Sequence, residues 1–445
     1  MDAIYQVFLG KKNILNDSCP SIDIFDLDYF NSRITSLLKA FPSDGQNLQH
    51  TFAVKANPLR GVLLAAKARG LGAECASISE VLLSLSLGFE PCKVIFDSPC
   101  KTREDIRIAL NSGVVMNLDN EREMGLVHEI LQEGNVKDRP LVGLRINPVV
   151  GGGDFDILST ATKASKFGLP LCENTKERIL SLFEECGWLN GVHIHVGSQG
   201  VPLKKFVDGA KKLMEFVHKI ESCRGGRLLE TVDIGGGLST SYILEDVEPK
   251  EFTFALYKEE LSKAVPELFD GRRRVITEFG RSLALKAGKT LTRVEHIKEW
   301  IPEIRPIIQT HVGVNQFIRE TYLPDTWSHR ISLLNPLGNT KTCAPENKVL
   351  YDIAGPLCFQ GDYLQSSVSL PSATPGDVLA IHDTGAYTMS MYSRYNSIRP
   401  SVVYGYERIN EEEKDQCLRI SCFKEKETAE ETLGIWGSSN PRLVD

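Results

Sequence analysis

Lys55 ends the apolar run Thr51-Phe52-Ala53-Val54-Lys55 and is followed by Asn57-Pro58. An ammonium at the end of a buried strand is desolvated unless paired, which lowers its pKa and frees the amine as a nucleophile. The Asn-Pro step stops the strand in a turn; the plain alternative is a structural, snorkelling lysine. Two further segments can do chemistry. Asp233-Ile234-Gly235-Gly236-Gly237 sets three glycines after another apolar run, and Glu278-Phe279-Gly280-Arg281 ends the next. Converging backbone N–H groups on small residues make a cup for phosphate, although glycine also serves simply as a turn residue. A nucleophilic lysine opposite a phosphate cup suggests pyridoxal phosphate, whose aldehyde condenses with an amine and whose pyridine nitrogen needs an acidic partner. Glu278, beside the cup, is the candidate partner; otherwise it is half of a salt bridge with Arg281 or Arg274. His193 and His195 alternate on a run of their own, so a strand would point both to one side. Such a pair also holds the cation of metal-dependent hydrolase barrels, and that reading stays open on the residues alone.

Something must aim these groups at one place. Eight short apolar runs recur, at Thr51–Lys55, Leu71–Cys75, Lys93–Asp97, Val114–Asp119, Leu141–Asn147, Gly191–Ser198, Thr231–Gly237 and Arg274–Arg281, with helix-length amphipathic stretches between most of them. Strands alternating with helices predict βαβ units and a parallel sheet, and eight of them predict a (β/α)8 TIM barrel, whose chemistry sits at the strand C-termini. Read there, Lys55, Glu74, Asp97, Asp119, Arg145, His195, the triple glycine, Glu278 and Arg281 share one mouth.

A barrel takes about 250 residues, so a chain of 445 has room for a second domain. The expected division is a lead-in of residues 1–45 packing on the second domain, a barrel over 46–283, and an all-β barrel or sandwich over 284–445. Thr290–His296, Pro306–Phe317, Val349–Ile353 and Asp377–His382 read as its strands. Gly151–Ser165 and Leu334–Asn347 are polar enough to read as mobile loops, the first placed to act as a lid. The charged tail from Glu407 to Asp445 reads as solvated, Glu411–Lys414 and Lys424–Glu431 above all. Net charge is −7, from 51 basic and 58 acidic residues, without a basic block. This argues for a small-molecule partner and against nucleic acid. Eleven cysteines without CxxC pairs fit reduced thiols. With neither a secretory signal nor a membrane span, a soluble, cytoplasmic protein is expected.

Taken in order, the motifs resemble those of the fold-type III pyridoxal phosphate decarboxylases, the group of diaminopimelate, ornithine and arginine decarboxylases. Phe52-Ala53-Val54-Lys55-Ala56-Asn57 is similar to the family's lysine motif and His195-Val196-Gly197-Ser198-Gln199 to its histidine motif. Asp233–Gly237, Glu278–Arg281 and Gly385-Ala386-Tyr387 follow in sequence. The resemblance implies an alanine-racemase-like barrel, with Lys55 holding the cofactor and His195 stacked on its ring. It implies Glu278 on the pyridine nitrogen, and Gly235, Gly236, Gly237, Ser198 and Tyr387 around the phosphate. Arg281 is left between phosphate and substrate carboxylate. Glu74 stands where the family often has Asp, and Arg145 matches an arginine near the floor of the site. Gly355–Asp362 resembles the segment that enters the neighbouring subunit's site, which implies a homodimer with shared active sites. By that analogy Cys358 reprotonates the substrate carbon, and Asp362 pairs with Lys166 across the dimer.

Two departures bear on substrate. The family's acidic residue after that cysteine, which grips a distal amine, is replaced by Phe359. The diaminopimelate branch follows Ile-Arg with Pro and a substrate tyrosine, whereas Ile318-Arg319-Glu320-Thr321-Tyr322 is one residue out of register. Arg281, Arg319, Tyr322, Phe359 and Tyr387 are the expected substrate contacts. The expected reaction is α-decarboxylation of an amino acid whose distal end is modified, acylated or acidic, such as a siderophore-type citryl-amino acid. The alternatives are meso-diaminopimelate decarboxylation to L-lysine, an ornithine-, lysine- or arginine-type decarboxylase, and a non-catalytic homologue or metal-dependent barrel hydrolase.

Overall fold

The computed structural model describes residues 2–42, 47–134, 136, 140–244, 252–323, 327–409 and 418–437. Two compact units divide the chain, one of residues 31–284 and one of residues 1–30 with 285–445. In the first, eight strands pair in parallel and the last pairs with the first. They are Leu48–Ala53, Gly72–Cys75, Val94–Phe96, Val115–Leu118, Val142–Asn147, Leu189–His193, Thr231–Asp233 and Arg274–Phe279. This is a closed (β/α)8 barrel. Helices complete it by burying one face: Leu203–Cys223 inserts Phe206, Ala210, Leu213, Met214, Val217 and Ile220 at three- and four-residue steps. Each large apolar side chain so buried stabilises the unit by about 1.5–3 kcal/mol.

The strands stop earlier than the apolar runs do. Lys55 rides on a single helical turn, Val54–Ala56, after the first strand, and His195 lies two residues beyond the sixth. Pro58 has no N–H for a ladder, and Gly235 and Gly237 take left-handed backbone at φ +68° and +104°. The mouth is therefore built from turns held rigidly by the strands beneath them.

Gly151–Ser165 is not a free lid. Thr160 N–H donates to Val196 O, Ser198 N–H to Leu158 O and Asp154 N–H to Gly200 O, and Thr160 Oγ1 donates to His195 O at 2.6 Å. Its backbone, helped by the Thr160 hydroxyl, is tied to the segment that carries His195 and Ser198. The other segment expected to be mobile, Leu334–Asn347, is likewise closed on itself, by Asn335 N–H to Asn339 O and Gly338 N–H to Asn335 O.

The second unit holds a six-stranded sheet ordered Ile331–Leu334, Val378–His382, Gly288–Arg293, Ser21–Asp26, Val402–Arg408 and Leu418–Lys424. A four-stranded sheet runs His296–Lys298, Ile307–Gln309, Val349–Ala354 and Tyr363–Leu370. Leu333, Leu379 and Ile381 of the larger sheet share one core with Ile308, Ile353, Leu364 and Val368 of the smaller. Ile4, Tyr5, Phe8 and Leu9 form a second core with Ile22, Ile24, Leu291 and Tyr406. The tail is solvated where its charge suggests: from Lys424 to Glu431 the chain is exposed apart from half-buried Lys424 and Glu427. Leu418–Lys424 pairs with Val402–Arg408, and Thr428 caps a helix at Ala429–Ile435 with Glu431 reciprocating; Glu411–Lys414 lies outside the described residues. Among the described residues no helix is long and apolar enough to cross a membrane.

Candidate active site

The turn after the first barrel strand delivers Lys55 to Glu74 on the second: Nζ lies 2.6 and 2.7 Å from Oε1 and Oε2. Glu74 is fully buried. Burial pushes its carboxyl up to about 8 against the pull of Lys55, and the nearby carboxylates of Glu278 and Asp97 add to the rise.

Across the mouth, Glu278 on the eighth strand is equally buried. Its Oε2 lies 3.6 Å from His193 Nε2 and 3.7 Å from His195 Nδ1. Burial alone would raise its pKa, but the charge of His193, contacts to both histidines and Lys55 hold it well below the usual carboxylate range. His193 Nδ1 faces Asp97 Oδ1 at 3.1 Å. Burial opposes protonation of this ring, yet the two flanking carboxylates push it up to about 10. For His195 burial prevails, and its pKa falls. The two histidines thus differ: His193 lies between two acids, close to both though hydrogen-bonded to neither, and His195 sits beside Glu278 and the glycine turn, its Nδ1 3.4 Å from Gly236 N.

All three glycines are required by close approach. A Cβ on Gly235 would come 2.5 Å from Ile194 O, on Gly236 1.8 Å from Glu278 O, and on Gly237 1.9 Å from Gly197 O. The N–H groups of Gly237 and Leu238 meet no acceptor among the described residues. Beside them, buried Arg281 donates from Nη1 to Tyr242 Oη at 2.5 Å and from Nη2 to Ser198 Oγ at 3.3 Å. The cup thus gathers unpaired amides, two hydroxyls and a guanidinium, a donor set for a phosphate. Tyr242 was not among the expected residues; its one sequence signal is its place five residues after the triple glycine. Arg145, buried on the fifth strand, sets its guanidinium over the Phe167 ring at 4.4 Å, and Lys166 Nζ lies 5.0 Å from the same ring.

In the second unit Arg319 stacks between two aromatics, 4.4 Å from the Tyr387 ring and 4.8 Å from Trp327. Trp327 was also not anticipated, since only the fold sets it against Arg319. Tyr322 is exposed and joins neither. Cys358 and Phe359 are exposed on the turn that follows Val349–Ala354. Cys358 N–H donates to Asn396 Oδ1 at 2.8 Å, and its carbonyl accepts from Tyr395 Oη at 3.3 Å. Within its own chain Asp362 has a structural task. It is buried, with Oδ1 accepting Val314 N–H and Oδ2 accepting Leu357 N–H, both at 2.7 Å, so it staples the Cys358 turn within its own chain.

The barrel residues fit pyridoxal phosphate on two features: the unpaired amides of the cup, and Glu278, both of whose carboxylate oxygens are buried without a hydrogen-bond partner among the described residues. Residues 27–285 match the family of the pyridoxal-dependent decarboxylases, pyridoxal binding domain. Similar curated proteins include the diaminopimelate decarboxylases of Zymomonas mobilis, 30% identical over 85% of each chain, and of Pseudomonas fluorescens, 32% identical over 83% of this chain and 84% of that one. Among solved structures, diaminopimelate decarboxylase from Helicobacter pylori complexed with L-lysine superposes with a TM-score of 0.80 at 24% identity, covering 96% of this chain and 99% of that one. The enzyme from M. jannaschii in complex with L-lysine gives 0.78 at 26% identity, covering 93% and 91%. A barrel that sets a buried acid, a lysine just past a strand end and a phosphate cup at one mouth therefore has its cofactor assigned, and the hydrolase reading of His193 and His195 lapses: the chain belongs to the pyridoxal-dependent decarboxylases, carboxy-lyases that act on amino acids.

Proposed function

We propose that this protein removes one α-carboxylate of meso-diaminopimelate, yielding L-lysine and CO2. The observation that carries the substrate is the relatives' shared activity at 30–32% identity over more than four fifths of both chains. Pyridoxal phosphate supplies an electron sink for the pair left on Cα when CO2 departs. Lys55 holds it through its amine, and Glu74 keeps that ammonium in place when it is displaced. Glu278 accepts from the pyridine N–H and His195 covers the ring. Gly235, Gly236, Gly237, Ser198, Arg281 and Tyr387 bind the phosphate, and Arg145 adds positive charge at the fifth strand. The enzyme works as a homodimer in which Cys358 of the partner subunit returns a proton to Cα. Arg319, a cation fixed between Trp327 and Tyr387, suits a distal carboxylate through its planar fork. That disfavours ornithine and lysine, which lack one.

One observation favours a second reading, a substrate with an acylated or acidic distal end such as a citryl-linked amino acid. Phe359, where an acid would meet a distal ammonium, leaves 48% of its surface exposed beside Cys358. Measured CO2 release from meso-diaminopimelate, ornithine, lysine, arginine and citryl-amino acids decides between them. Efficient lysine formation supports the proposal, whereas turnover of citryl substrates alone overturns it.

A further inference from the structure

His193 has no place in the roles above, yet it is an ionisable group of the barrel with no exposed surface. It forms the middle of a line. Asp97, at the end of the third strand, lies 3.1 Å from Nδ1, and Glu278 lies 3.6 Å from Nε2. Around Glu278 burial opposes charge. It pushes buried Asp233 on the seventh strand and Glu74 on the second toward their protonated forms, and Glu278 is held in its charged form by the ring of His193 and by Lys55, itself held by Glu74. His195 is held neutral by burial.

We propose that His193 is a permanently protonated positioning residue, oriented by Asp97, whose charge keeps Glu278 ionised and thereby keeps the proton on the cofactor's pyridine nitrogen. It acts on the reaction only through Glu278. A buried carboxylate deprived of its cation takes up a proton, and a protonated Glu278 no longer favours the charged nitrogen. The electron sink then weakens although every cofactor-binding residue remains. The balance is that of one proton: on the ring nitrogen while Glu278 is an anion, on Glu278 when His193 is neutral or absent. The elevated pKa of His193 and the depressed one of Glu278 agree with the geometry.

The inference rests on Glu278 meeting the pyridine nitrogen, and the test separates the two claims. Enzyme loaded with pyridoxal phosphate labelled with 15N in the ring reports nitrogen protonation directly by NMR between pH 6 and 9. The expected result is a protonated nitrogen throughout for the parent. His193→Gln and Glu278→Gln should both move it to the neutral position at pH 8, with kcat falling on the order of 100-fold. Asp97→Asn, which keeps its shape, should give a smaller shift in the same direction. If Glu278→Gln moves the signal while His193→Gln and Asp97→Asn leave it at the parent position, the inference is overturned. If Glu278→Gln moves nothing, the assignment of Glu278 fails first. Should His193→Gln not fold, the apoenzyme still decides. The His193 imidazole should show no titration from pH 6 to 9, and a midpoint below 7 would refute the idea.

Discussion

Lys55 grips both oxygens of a carboxylate that has no exposure to water: Glu74 lies 2.6 and 2.7 Å from Nζ. Any variant that removes the lysine therefore does two things. Lys55→Ala should lose turnover and covalent capture of the cofactor, so that borohydride reduction fixes none to the protein. It should also strand Glu74 without a cation, which costs about 3–5 kcal/mol if the charge persists. Thermal melts of the apoenzyme should accordingly show the gap between parent and variant widening at alkaline pH. Retained borohydride labelling in Lys55→Ala would place the attachment elsewhere.

The pH dependence follows from the same pair. Glu74 in the folded chain holds its proton up to about 8, against 4.5 for an ordinary glutamate. The folded state thus binds this proton more tightly than the unfolded one. The associated stability is complete below pH 4.5 and is lost as pH rises through 8. Glu74→Gln cannot titrate there, so the fall in Tm of the apoenzyme between pH 5 and 8 should be shallower than in the parent. A slope equal to or steeper than the parent's would mean that Glu74 stays ionised throughout.

Arg281 can be assigned by separating affinities. It is tied to Ser198 and Tyr242 beside the unpaired amides of the glycine turn. If it binds phosphate, Arg281→Met should raise the Kd for pyridoxal phosphate on the order of 10- to 100-fold, the worth of one or two charge-assisted hydrogen bonds. Substrate KM in cofactor-saturated enzyme should change little. An unchanged cofactor Kd with a raised KM would assign Arg281 to the substrate carboxylate instead.

The barrel was legible because each apolar run had to be buried on both faces and each ended in a group that could not be buried there at no cost. Strand number, order and mouth residues all follow from that. The turn carrying Lys55 was foreshadowed by Asn57-Pro58, but the early end of the sixth strand was not, because Ile194 and Val196 keep the alternation going after the ladder stops. In the second unit, Ile331–Leu334, Tyr363–Leu370, Val402–Arg408 and Leu418–Lys424 escaped reading: all but Val402–Arg408 lie at sheet edges, and strands of such a unit are patterned by partners far away in the chain. Trp327 and Tyr242 became visible only through the side chains they touch. Asp362 carries a contact that no sequence spacing announces: within its own chain its carboxylate accepts the backbone amides of Val314 and Leu357.

Shared sites make a distinctive prediction about mixtures. Cys358 is exposed in its own chain, as a residue presented to a neighbour would be. Inactive Lys55→Ala and inactive Cys358→Ala subunits, once exchanged, should form hybrid dimers in which one of two sites carries both residues. Random pairing then restores about a quarter of parental activity. Exchange proven by mass spectrometry without recovered CO2 release would mean that each site is built within one chain.

Substrate choice turns on Arg319 and Phe359. Arg319 is held in one orientation by the Tyr387 and Trp327 rings at 4.4 and 4.8 Å, so little side-chain freedom remains to be lost on binding a carboxylate. Arg319→Ala should raise KM for meso-diaminopimelate on the order of 10- to 100-fold with a smaller change in kcat, because the distal carboxylate is bound alike before and during the reaction. Lysine and ornithine, without that group, should be insensitive to the change. Phe359 offers the distal ammonium only a ring face, worth on the order of 1 kcal/mol, whereas a carboxylate there would add a charged partner. Phe359→Glu should therefore lower KM for substrates ending in an ammonium and leave acylated ones unimproved. If Arg319→Ala lowers kcat and leaves KM unchanged for every substrate, the arginine serves the architecture of the Tyr387 turn, and the distal carboxylate must be bound by another group.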